Sequence, residues 1–398
     1  MAGEIVRAPV RVILKRGREG PVRGGNPWIF SQAIERIEPK TVDAGAIVSV
    51  HDAGDAMLGM GYYNPATTIA VRMIAWGETP DLTELIARRL KGALELRRRF
   101  IRDDTDSYRL VNGDGDGLSG VVVDRYGDML VVQLLTAGAD RMRDALIAEF
   151  GELLGPRAII ERSAGAVRRQ EGLEDRVGLV SGEAVNETVG KENGIRIHVD
   201  FEHGQKTGYF LDQRDNRALA GSLAADARVL DAYCYEGGFA LAALAGKAKR
   251  VVAVETSARA IGWARQNLEL NRHRDDAIEF VHGEAARFMA ETEARFDLIV
   301  LDPPPLARSR GDAERAGRLY VELNTLAMRV LAPGGRLMTF SCSVHFRAED
   351  FIRAVRFAAS NAGRQLRTIA HLGPGADHPV LLGHVEGEYL TGLLLSDL

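Results

Sequence analysis

The sequence has few cysteines and no long apolar run, and each absence excludes a class of protein. Two cysteines among 398 residues cannot build a disulfide framework, and a single pair does not resemble a metal site. A reducing compartment is the simplest interpretation, so we expect a cytoplasmic protein. No apolar segment is long enough to cross a bilayer, and the charged N-terminus lacks the apolar region of a signal peptide. The sequence therefore predicts no membrane association.

The chain also lacks a strong net charge, since 51 basic and 55 acidic residues leave a formal charge of −4. A protein that coats nucleic acid through bulk charge is therefore excluded, although local basic surfaces are not. Two clusters are candidates for such surfaces. The first contains Lys15, Arg16, Arg18 and Arg23, and the second contains Arg88, Arg89, Lys91, Arg97, Arg98, Arg99 and Arg102. The alternative is that each cluster is an ordinary solvated face.

Three regions with different periodicities predict three domains. Residues 1–75 contain short strands between turn residues, which favours a small β-barrel-like module. Residues 76–200 begin with a helical pattern, interpreted as a linker helix, and continue as a small α+β domain. Residues 201–398 alternate strands and helices, which is typical of an α/β domain with a parallel sheet. We expect the tail from His378 onwards to add hairpin-like strands.

A Gly-rich turn after the strand VLDA predicts a nucleotide-type crevice in the C-terminal region. Gly237 and Gly238 let the backbone approach a ligand, and Glu255 ends the next strand, where a carboxylate can accept hydrogen bonds from ribose hydroxyls. The turn lacks the Gly-x-Gly-x-x-Gly pattern of dinucleotide enzymes, so a dehydrogenase is the least favoured class. S-adenosylmethionine (SAM), which has no phosphate, fits better, and Glu284 at a third strand end could meet its adenine. An ordinary tight turn is the alternative.

The segment DPPP at 302–305 indicates a site for a flat base. The preceding strand brings Asp302 to the same sheet edge as the glycine turn, and the prolines stiffen the loop. Asp-Pro-Pro recurs in enzymes that methylate nucleobases, where the acid and the loop backbone bind the edge of the base. An ordinary strand-end turn would seldom need consecutive prolines.

Cys342 lies between two serines at the end of the next strand, so its side chain and Asp302 are expected to face one crevice. Carbon 5 of a pyrimidine is a poor nucleophile, but addition of a thiolate to carbon 6 enables it to attack the methyl group of SAM. A base then removes the C5 proton, and elimination frees the cysteine. The alternative is an inert buried cysteine, which is also the interpretation we favour for Cys234.

Several motifs, found in order along nearly the whole chain, resemble those of one family. GNPWIFSQAI and MGYYNPATTIAVRMI resemble an RNA-binding PUA domain, and VLDAYCYEGGFAL, LDPPPLARS and FSCSVHF resemble cofactor, base and nucleophile segments. The family is that of the RlmI-type ribosomal RNA large-subunit methyltransferases, which make 5-methylcytidine in 23S rRNA with SAM. The resemblance implies a C-terminal class I SAM-methyltransferase (Rossmann-like) domain, preceded by a small α+β domain and an N-terminal PUA-like β-barrel.

The resemblance also implies roles for individual residues. Asp302 meets the target base, and Cys342 attacks it. The residues implied to bind SAM are Asp231, Gly237, Gly238, Glu255 and Glu284, and those implied to line its pocket are Phe210, Asp212 and Gln213. No metal is expected. The implied partner is RNA, either 23S rRNA or a large-subunit assembly intermediate; a homodimer is possible, and the sequence leaves the oligomeric state open.

The sequence departs from the family pattern at a few points. Pro305 stands where the family often has a lysine, which affects a base or phosphate contact rather than the reaction. Val344 and His345 stand where it often has two histidines. Many 5-methylcytidine enzymes of another branch carry a second cysteine in the Asp-Pro-Pro region, and this chain has none. Asp302 or water is therefore left as the base that takes the C5 proton.

Three functions remain open at this point. The sequence favours methylation of cytosine C5 in RNA. The second is SAM-dependent methylation of a base nitrogen, which needs no cysteine, or of uridine C5. The third is a non-catalytic RNA-binding factor built on a methyltransferase scaffold.

Overall fold

The computed structural model describes residues 10–77, 80–273, 275–307 and 309–398. These residues form two compact units, and neither unit is continuous in sequence. Unit 1 comprises the described residues up to Thr188 together with Val199–Tyr209 and Ala376–Gly387, and unit 2 comprises Val189–His198, Phe210–Gly375 and Glu388–Leu398. The division into three domains stays a prediction, and the first nine residues of its N-terminal module lie outside the described ranges.

Six short strands form the first sheet of unit 1. They are β1 (Val10–Leu14), β2 (Trp28–Phe30), β3 (Ile34–Glu38), β4 (Ala46–His51), β5 (Met57–Tyr63) and β6 (Ile69–Trp76), with a short helix α1 (Gly20–Arg23) after β1. Their spatial order is β2-β6-β5-β4-β1-β3, with β1 and β4 parallel. Alternate side chains such as Val12, Val48 and Val50 are buried together. The β-rich N-terminal module is confirmed.

Four helices and a second sheet complete the main part of unit 1. The helices are α2 (Leu82–Phe100), α3 (Ala137–Arg141), α4 (Arg143–Leu154) and α5 (Ala166–Gln170), and the strands are β7 (Ser107–Asn112), β8 (Val121–Tyr126), β9 (Met129–Leu134), β10 (Ala158–Ser163) and β11 (Arg176–Gly182). The strand order is β11-β10-β9-β8-β7. Asp81 caps α2 by accepting hydrogen bonds from the N–H groups of Thr83 and Glu84. A helix and a mixed α/β region thus lie where the sequence predicted them, and the linker role of α2 stays a prediction.

Unit 2 is built around a seven-stranded sheet. After a two-stranded ribbon, β12 (Glu187–Glu192) and β13 (Ile195–Asp200), its strands are β14 (Arg228–Ala232), β15 (Arg250–Glu255), β16 (Ile278–His282), β17 (Phe296–Leu301), β18 (Leu331–Ser341), β19 (Leu366–Leu372) and β20 (Thr391–Asp397). The order is β16-β15-β14-β17-β18-β20-β19. The first five strands are parallel, and β20 is antiparallel to both neighbours.

Helices cover both faces of this sheet. They are α6 (Arg214–Ser222), α7 (Gly238–Ala245), α8 (Ala258–Leu270), α9 (Ala285–Glu291), α10 (Ala313–Val330) and α11 (Ala348–Ala362). Successive strand residues point to opposite faces, so Leu230 lies in one apolar core and Val229 in the other. Two buried faces explain why these strands are apolar throughout, and the predicted Rossmann-like α/β fold is confirmed. Among the described residues, no helix could cross a membrane.

The prediction for the tail was wrong in part. Thr391–Asp397 is a strand, but its hairpin partner is β19 rather than a segment starting at His378. Residues 376–387 belong to unit 1 and contain only a helical turn at Val385–Gly387 within the described structure. There the backbone of Gly383 approaches Gly24 so closely that a Cβ would lie 2.3 Å from the Gly24 carbonyl oxygen. This close approach shows that the segment packs within unit 1 without forming a strand, although Leu382 and Val385 remain exposed.

The assignment of Arg97 to a basic surface was also wrong. Its side chain is 1% exposed, and its guanidinium donates to the two carboxylate oxygens of Asp116 at 2.6 and 2.8 Å. It also donates to the backbone carbonyls of Arg109 and Asp377 at 2.8 and 2.6 Å. Residue 97 follows Leu90 by seven positions and therefore lies on the apolar face of α2. Arg98 and Arg99, by contrast, are exposed.

We predict that Arg97→Ala destabilises the protein by about 3–5 kcal/mol, because it leaves the Asp116 carboxylate buried without its cation. The matched control is Arg98→Ala on the exposed face of α2, which should change the free energy of unfolding by less than about 0.5 kcal/mol. Urea denaturation followed by circular dichroism measures both. Equal midpoints for the two variants would contradict a structural role for Arg97.

Candidate functional site

The carboxyl ends of five parallel strands lie along one edge of the unit 2 sheet. Asp231 is the penultimate residue of β14 and Glu255 the last of β15, while Glu284 follows β16 by two residues. Asp302 comes directly after β17, and Cys342 directly after β18. The ends of parallel strands share an edge, so the fold gathers these predicted residues along one side of the sheet.

Asp231 is an almost fully buried carboxyl with an unused acceptor. It is 1% exposed, and its Oδ2 accepts a hydrogen bond from the Ala240 N–H at 2.9 Å. Its Oδ1 has no hydrogen-bond partner within the described part of the chain. Burial raises the pKa of Asp231 to about 7, and the nearby carboxylates of Asp302 and Glu255 also raise it. A buried acceptor of this kind fits a ligand that brings a donor or a positive charge.

The loop between β14 and α7 is held in an unusual backbone conformation. Tyr233 and Tyr235 have φ angles of 68° and 47°, in the left-handed region that bulky residues rarely adopt. Gly237 has a φ of 77°, and a Cβ there would lie 3.2 Å from the Cβ of Ala264. Gly238 begins α7. Such strain clusters at ligand sites, so the loop geometry supports a binding function.

Hydrogen bonds to the side chain of Glu255 connect this loop to the end of β15. Its Oε2 accepts a hydrogen bond from the Tyr235 N–H at 3.1 Å, while its Oε1 accepts from the N–H groups of Thr256 and Ser257 at 2.8 and 2.9 Å. A carboxylate has about four acceptor positions, so Oε2 can accept a further donor. Glu284 is exposed directly before α9.

Phe210 packs beside the glycine loop, and its assignment to the cofactor pocket stays a prediction. Its ring meets Tyr235 edge-on with centroids 5.2 Å apart, and Tyr235 also packs against Trp263 at 6.3 Å. Aromatic contacts of this kind stabilise both rings in place. Phe210 and Trp263 therefore contact the strained loop through Tyr235.

Gln213, which the sequence assigned to the cofactor pocket, is bonded to the predicted base-binding acid. Its Nε2 donates to Asp302 Oδ2 at 3.0 Å, and its Oε1 accepts from Asn216 Nδ2 at 2.6 Å. Asn216 also donates to the Gly373 carbonyl at 2.9 Å, which fixes the chain of amides. Asp212 lies beside it and accepts from the Tyr389 hydroxyl at 2.9 Å. Sequence reasoning missed Asn216, since nothing in its spacing links it to Asp302.

Cys342 is half-buried, and its Sγ lies 3.8 Å from the carbonyl oxygen of Pro303 in the Asp-Pro-Pro loop. The thiol and this loop are therefore neighbours. The flanking Ser341 and Ser343 are buried and both contact the hydroxyl of Tyr320, at 2.8 and 3.0 Å. The two serines thus face away from the crevice and explain the polar surroundings of the cysteine in the sequence.

Cys234 is confirmed as a packing residue. It is 6% exposed within the apolar core of unit 2, and burial raises the pKa of its thiol well above the usual range. It is therefore protonated and a poor nucleophile. Among the described residues, no group of three His, Cys, Asp or Glu side chains could hold a metal ion.

We predict that Asp231→Asn removes a pH-dependent cost to folding of the protein without cofactor. The folded carboxyl has a pKa of about 7, against 3.8 for the ordinary group. Between these values only the unfolded state ionises, so wild-type stability falls relative to the variant at about 1.4 kcal/mol per pH unit and levels off above pH 7. Urea titrations from pH 5 to 8 measure this difference, and parallel curves for the two proteins would contradict it.

Two family models match the chain. The model of the PUA-like domain matches residues 12–76, which correspond to the first sheet of unit 1. The model of the S-adenosylmethionine-dependent methyltransferase matches residues 166–354, which include every strand end of the candidate site. SAM is therefore the cofactor, as the sequence predicted.

Similar proteins cover nearly the whole chain. The ribosomal RNA large subunit methyltransferase I of Erwinia tasmaniensis is 40% identical over 394 residues, covering 96% of this chain and 98% of that protein. The protein of the same name from Photobacterium profundum is 40% identical over 387 residues, with the same coverage.

Two solved structures share the fold at 20% identity, and each alignment covers 97% of this chain and 99% of the other. One is a putative SAM-dependent methyltransferase from Streptococcus mutans, with a TM-score of 0.82. The other is a putative methyltransferase complexed with SAH, with a TM-score of 0.84. These two structures show the fold alone. The 40% identity of the curated relatives over 96% of the sequence establishes that the chain belongs to the ribosomal RNA large subunit methyltransferase I family.

Proposed function

We propose that this protein transfers a methyl group from SAM to carbon 5 of a cytidine in 23S ribosomal RNA, through a covalent bond between Cys342 and carbon 6. The observation that carries the proposal is the contact between the Cys342 thiol and the Asp-Pro-Pro loop, 3.8 Å from Sγ to the Pro303 oxygen. A thiol beside a base-binding loop is what C5 methylation requires. The names of the curated relatives support a substrate in large-subunit ribosomal RNA.

The residues at the sheet edge fit SAM. SAM carries a sulfonium and an ammonium group, and the carboxylates of Glu255 and Glu284 provide negative charge along this edge, beside the buried carboxyl group of Asp231. The unpartnered Oδ1 of Asp231 and the remaining acceptor position of Glu255 match donors of the ligand. Gly237 and Gly238 allow the backbone to approach the ligand closely, and the ring of Phe210 provides an apolar surface beside the loop. Bound SAM would supply an electrophilic methyl group and would leave as S-adenosylhomocysteine once the bond between that methyl group and its sulfur is broken.

Residues of this chain carry out the other steps of the proposed reaction. Cys342 Sγ, as thiolate, forms a bond to carbon 6 of the base, and the electron pair of the C5–C6 double bond moves towards carbon 5, which takes the methyl group. Asp302, held by Gln213 at 3.0 Å, meets the base. Asp302 or a water molecule removes the C5 proton, and those electrons restore the double bond as the C6–S bond breaks and releases the thiolate. The target must leave its stack to expose carbon 6.

Other assignments receive less support. Methylation of a base nitrogen needs no cysteine, and it would leave the placement of Cys342 beside Pro303 without a role. Methylation of uridine C5 uses the same chemistry and differs only in the base that is recognised. A non-catalytic RNA-binding factor would not require the strained loop at Tyr233 and Tyr235 or the buried acceptor of Asp231.

Unit 1 provides the proposed RNA contacts. Its PUA-like domain corresponds to the family of RNA-binding modules that the sequence resembles. The exposed basic residues of the two clusters are Lys15, Arg16, Arg18, Arg23, Arg88, Lys91, Arg98, Arg99 and Arg102. Some are already neutralised, since Arg23 donates to Asp52 at 2.7 Å and Arg102 to Asp104 at 2.9 and 3.0 Å. We assign the phosphate contacts to the exposed arginines of α2. We propose that the substrate is 23S rRNA, or an assembling large-subunit particle, in the cytoplasm.

We predict that Cys342→Ala lowers methylation of ribosomal RNA by at least ~10³-fold, because carbon 5 is then never activated. SAM binding, measured by calorimetry, should be unchanged. The matched control is Cys234→Ala, which removes the other thiol from the core and should retain most of the activity. Transfer of a labelled methyl group, with mass spectrometry of the RNA nucleosides, measures rate and product. Full activity of Cys342→Ala, or a methylated base nitrogen as product, would refute the covalent mechanism.

We predict that replacing Arg88, Arg98 and Arg99 together with alanine weakens RNA binding and makes it less dependent on salt. Each lost phosphate contact should reduce the slope of log K against log salt by roughly 0.7–0.9. RNA affinity at several salt concentrations, measured by filter binding, gives this slope.

The control for this variant removes the same charge elsewhere. Arg318, Arg353 and Arg356 lie exposed on α10 and α11, outside the proposed RNA surface. Their replacement by alanine should leave the salt slope close to that of the wild-type protein. If both triple variants lower the slope equally, α2 has no special role in RNA binding.

A further inference from the structure

A buried tyrosine hydroxyl lies between the two serines that flank Cys342. Ser341 Oγ donates to the hydroxyl of Tyr320 at 2.8 Å, and Ser343 Oγ lies 3.0 Å from the same oxygen. Tyr320 is 0% exposed, Ser341 2% and Ser343 3%. Buried hydroxyl groups need hydrogen-bond partners, and these three satisfy one another. No role assigned above to cofactor, base or nucleophile explains this arrangement.

The position of the Tyr320 ring is set by the core rather than by the cysteine segment. Its ring stacks on Phe346 with centroids 5.1 Å apart and an interplanar angle of 22°, and it meets Phe351 edge-on at 5.2 Å. Its backbone carbonyl accepts from Asn324 Nδ2 at 2.8 Å within α10. A ring held by two aromatic neighbours and a helix turn presents its hydroxyl at a fixed place.

This fixed hydroxyl determines the direction of the thiol. Ser341 and Ser343 both face Tyr320, while the side chain of Cys342 between them faces Pro303. Rotation of residue 342 about the chain would therefore break at least one buried hydrogen bond. Burial raises the pKa of Tyr320, so its hydroxyl stays protonated at neutral pH.

The same network reaches the loop that carries the base-binding acid. Ser343 Oγ accepts hydrogen bonds from the N–H groups of Leu306 and Ala307 at 3.0 and 3.2 Å. Both residues follow the Asp-Pro-Pro segment closely. One serine hydroxyl therefore joins α10, the cysteine segment and the base-binding loop.

We propose that Tyr320 is a positioning residue for the methylation reaction, which holds the Cys342 thiol and the Asp302 loop at a fixed separation through Ser341 and Ser343. The proposal rests on the proposed function of Cys342. Tyr320 touches neither substrate nor cofactor and acts only through the two serines. A small misplacement of a reacting group costs up to about 10²-fold in rate, so the loss of this clamp should appear in kcat.

The test is Tyr320→Phe, which removes one oxygen and keeps the stacked ring. We expect kcat on ribosomal RNA to fall about 10–100-fold, with KM for RNA and Kd for SAM within about twofold of wild type. The matched control is Tyr126→Phe in unit 1, where an equally buried hydroxyl bonds Thr207 at 3.0 Å. This variant should keep kcat within about twofold of wild type, which separates a positional effect from a general loss of a buried hydrogen bond.

Two substitutions of Ser343, one that removes its hydroxyl and one that keeps it, provide an independent test. Ser343→Ala should lower kcat as Tyr320→Phe does, whereas Ser343→Thr keeps a hydroxyl and should restore at least part of the loss. If Tyr320→Phe does not fold, the comparison of Ser343→Ala with Ser343→Thr replaces it. A wild-type kcat in Tyr320→Phe, or equal losses in Ser343→Ala and Ser343→Thr, would overturn the positioning role.

The outcome is distinguishable from a failure of the proposed function. An active Cys342→Ala variant would overturn the covalent mechanism and the positioning role together. An inactive Cys342→Ala variant combined with unchanged kinetics in Tyr320→Phe would overturn the positioning role alone. A slowed Tyr320→Phe with unchanged SAM affinity, alongside an inactive Cys342→Ala, supports both.

Discussion

The parallel pairing of β14 to β18 is the constraint on which the candidate site depends. Parallel hydrogen bonding forces the carboxyl ends of these strands to one edge, whatever the lengths of the connecting helices. Three carboxyl groups, the Asp-Pro-Pro loop and a thiol therefore lie along one edge, although more than 100 positions separate Asp231 from Cys342 in sequence. The sheet is buried on both faces, so this edge is where polar side chains can be placed without a large desolvation cost.

Burial changes the meaning of several charged residues in this protein. Arg97 counts as a cation in the sequence, but inside unit 1 its guanidinium forms a buried ion pair with Asp116. Asp231 counts as an anion, but its buried carboxyl has a pKa of about 7 and holds its proton through much of the neutral range. Formal charge therefore indicates neither the RNA-facing surface nor the charge of the cofactor site. Local exposure and partners decide both.

The sequence was sufficient for the fold class and for residues at strand ends, because alternating periodicity and the shared edge of a parallel sheet are simple rules. It was not sufficient where a role depends on contacts distant in sequence. Gln213 bonds Asp302 across 89 positions, and Tyr320 reads as an ordinary core residue of an amphipathic helix. Helix α11 had a readable signal, since Phe351, Ala354, Val355 and Ala358 follow helical spacing. Strand β19 had little signal, because none of its side chains is buried and most are exposed.

The position of β20 affects the order in which the molecule can be completed. This strand comes last in the chain, yet it lies between β18 and β19 in the sheet. In the described structure β19 pairs with β20 alone, so during synthesis it has no native neighbouring strand until Thr391–Asp397 have emerged from the ribosome. The methyltransferase sheet therefore reaches its full width only after β20 has been synthesised, and a nascent chain that stalls before β20 carries an incomplete sheet.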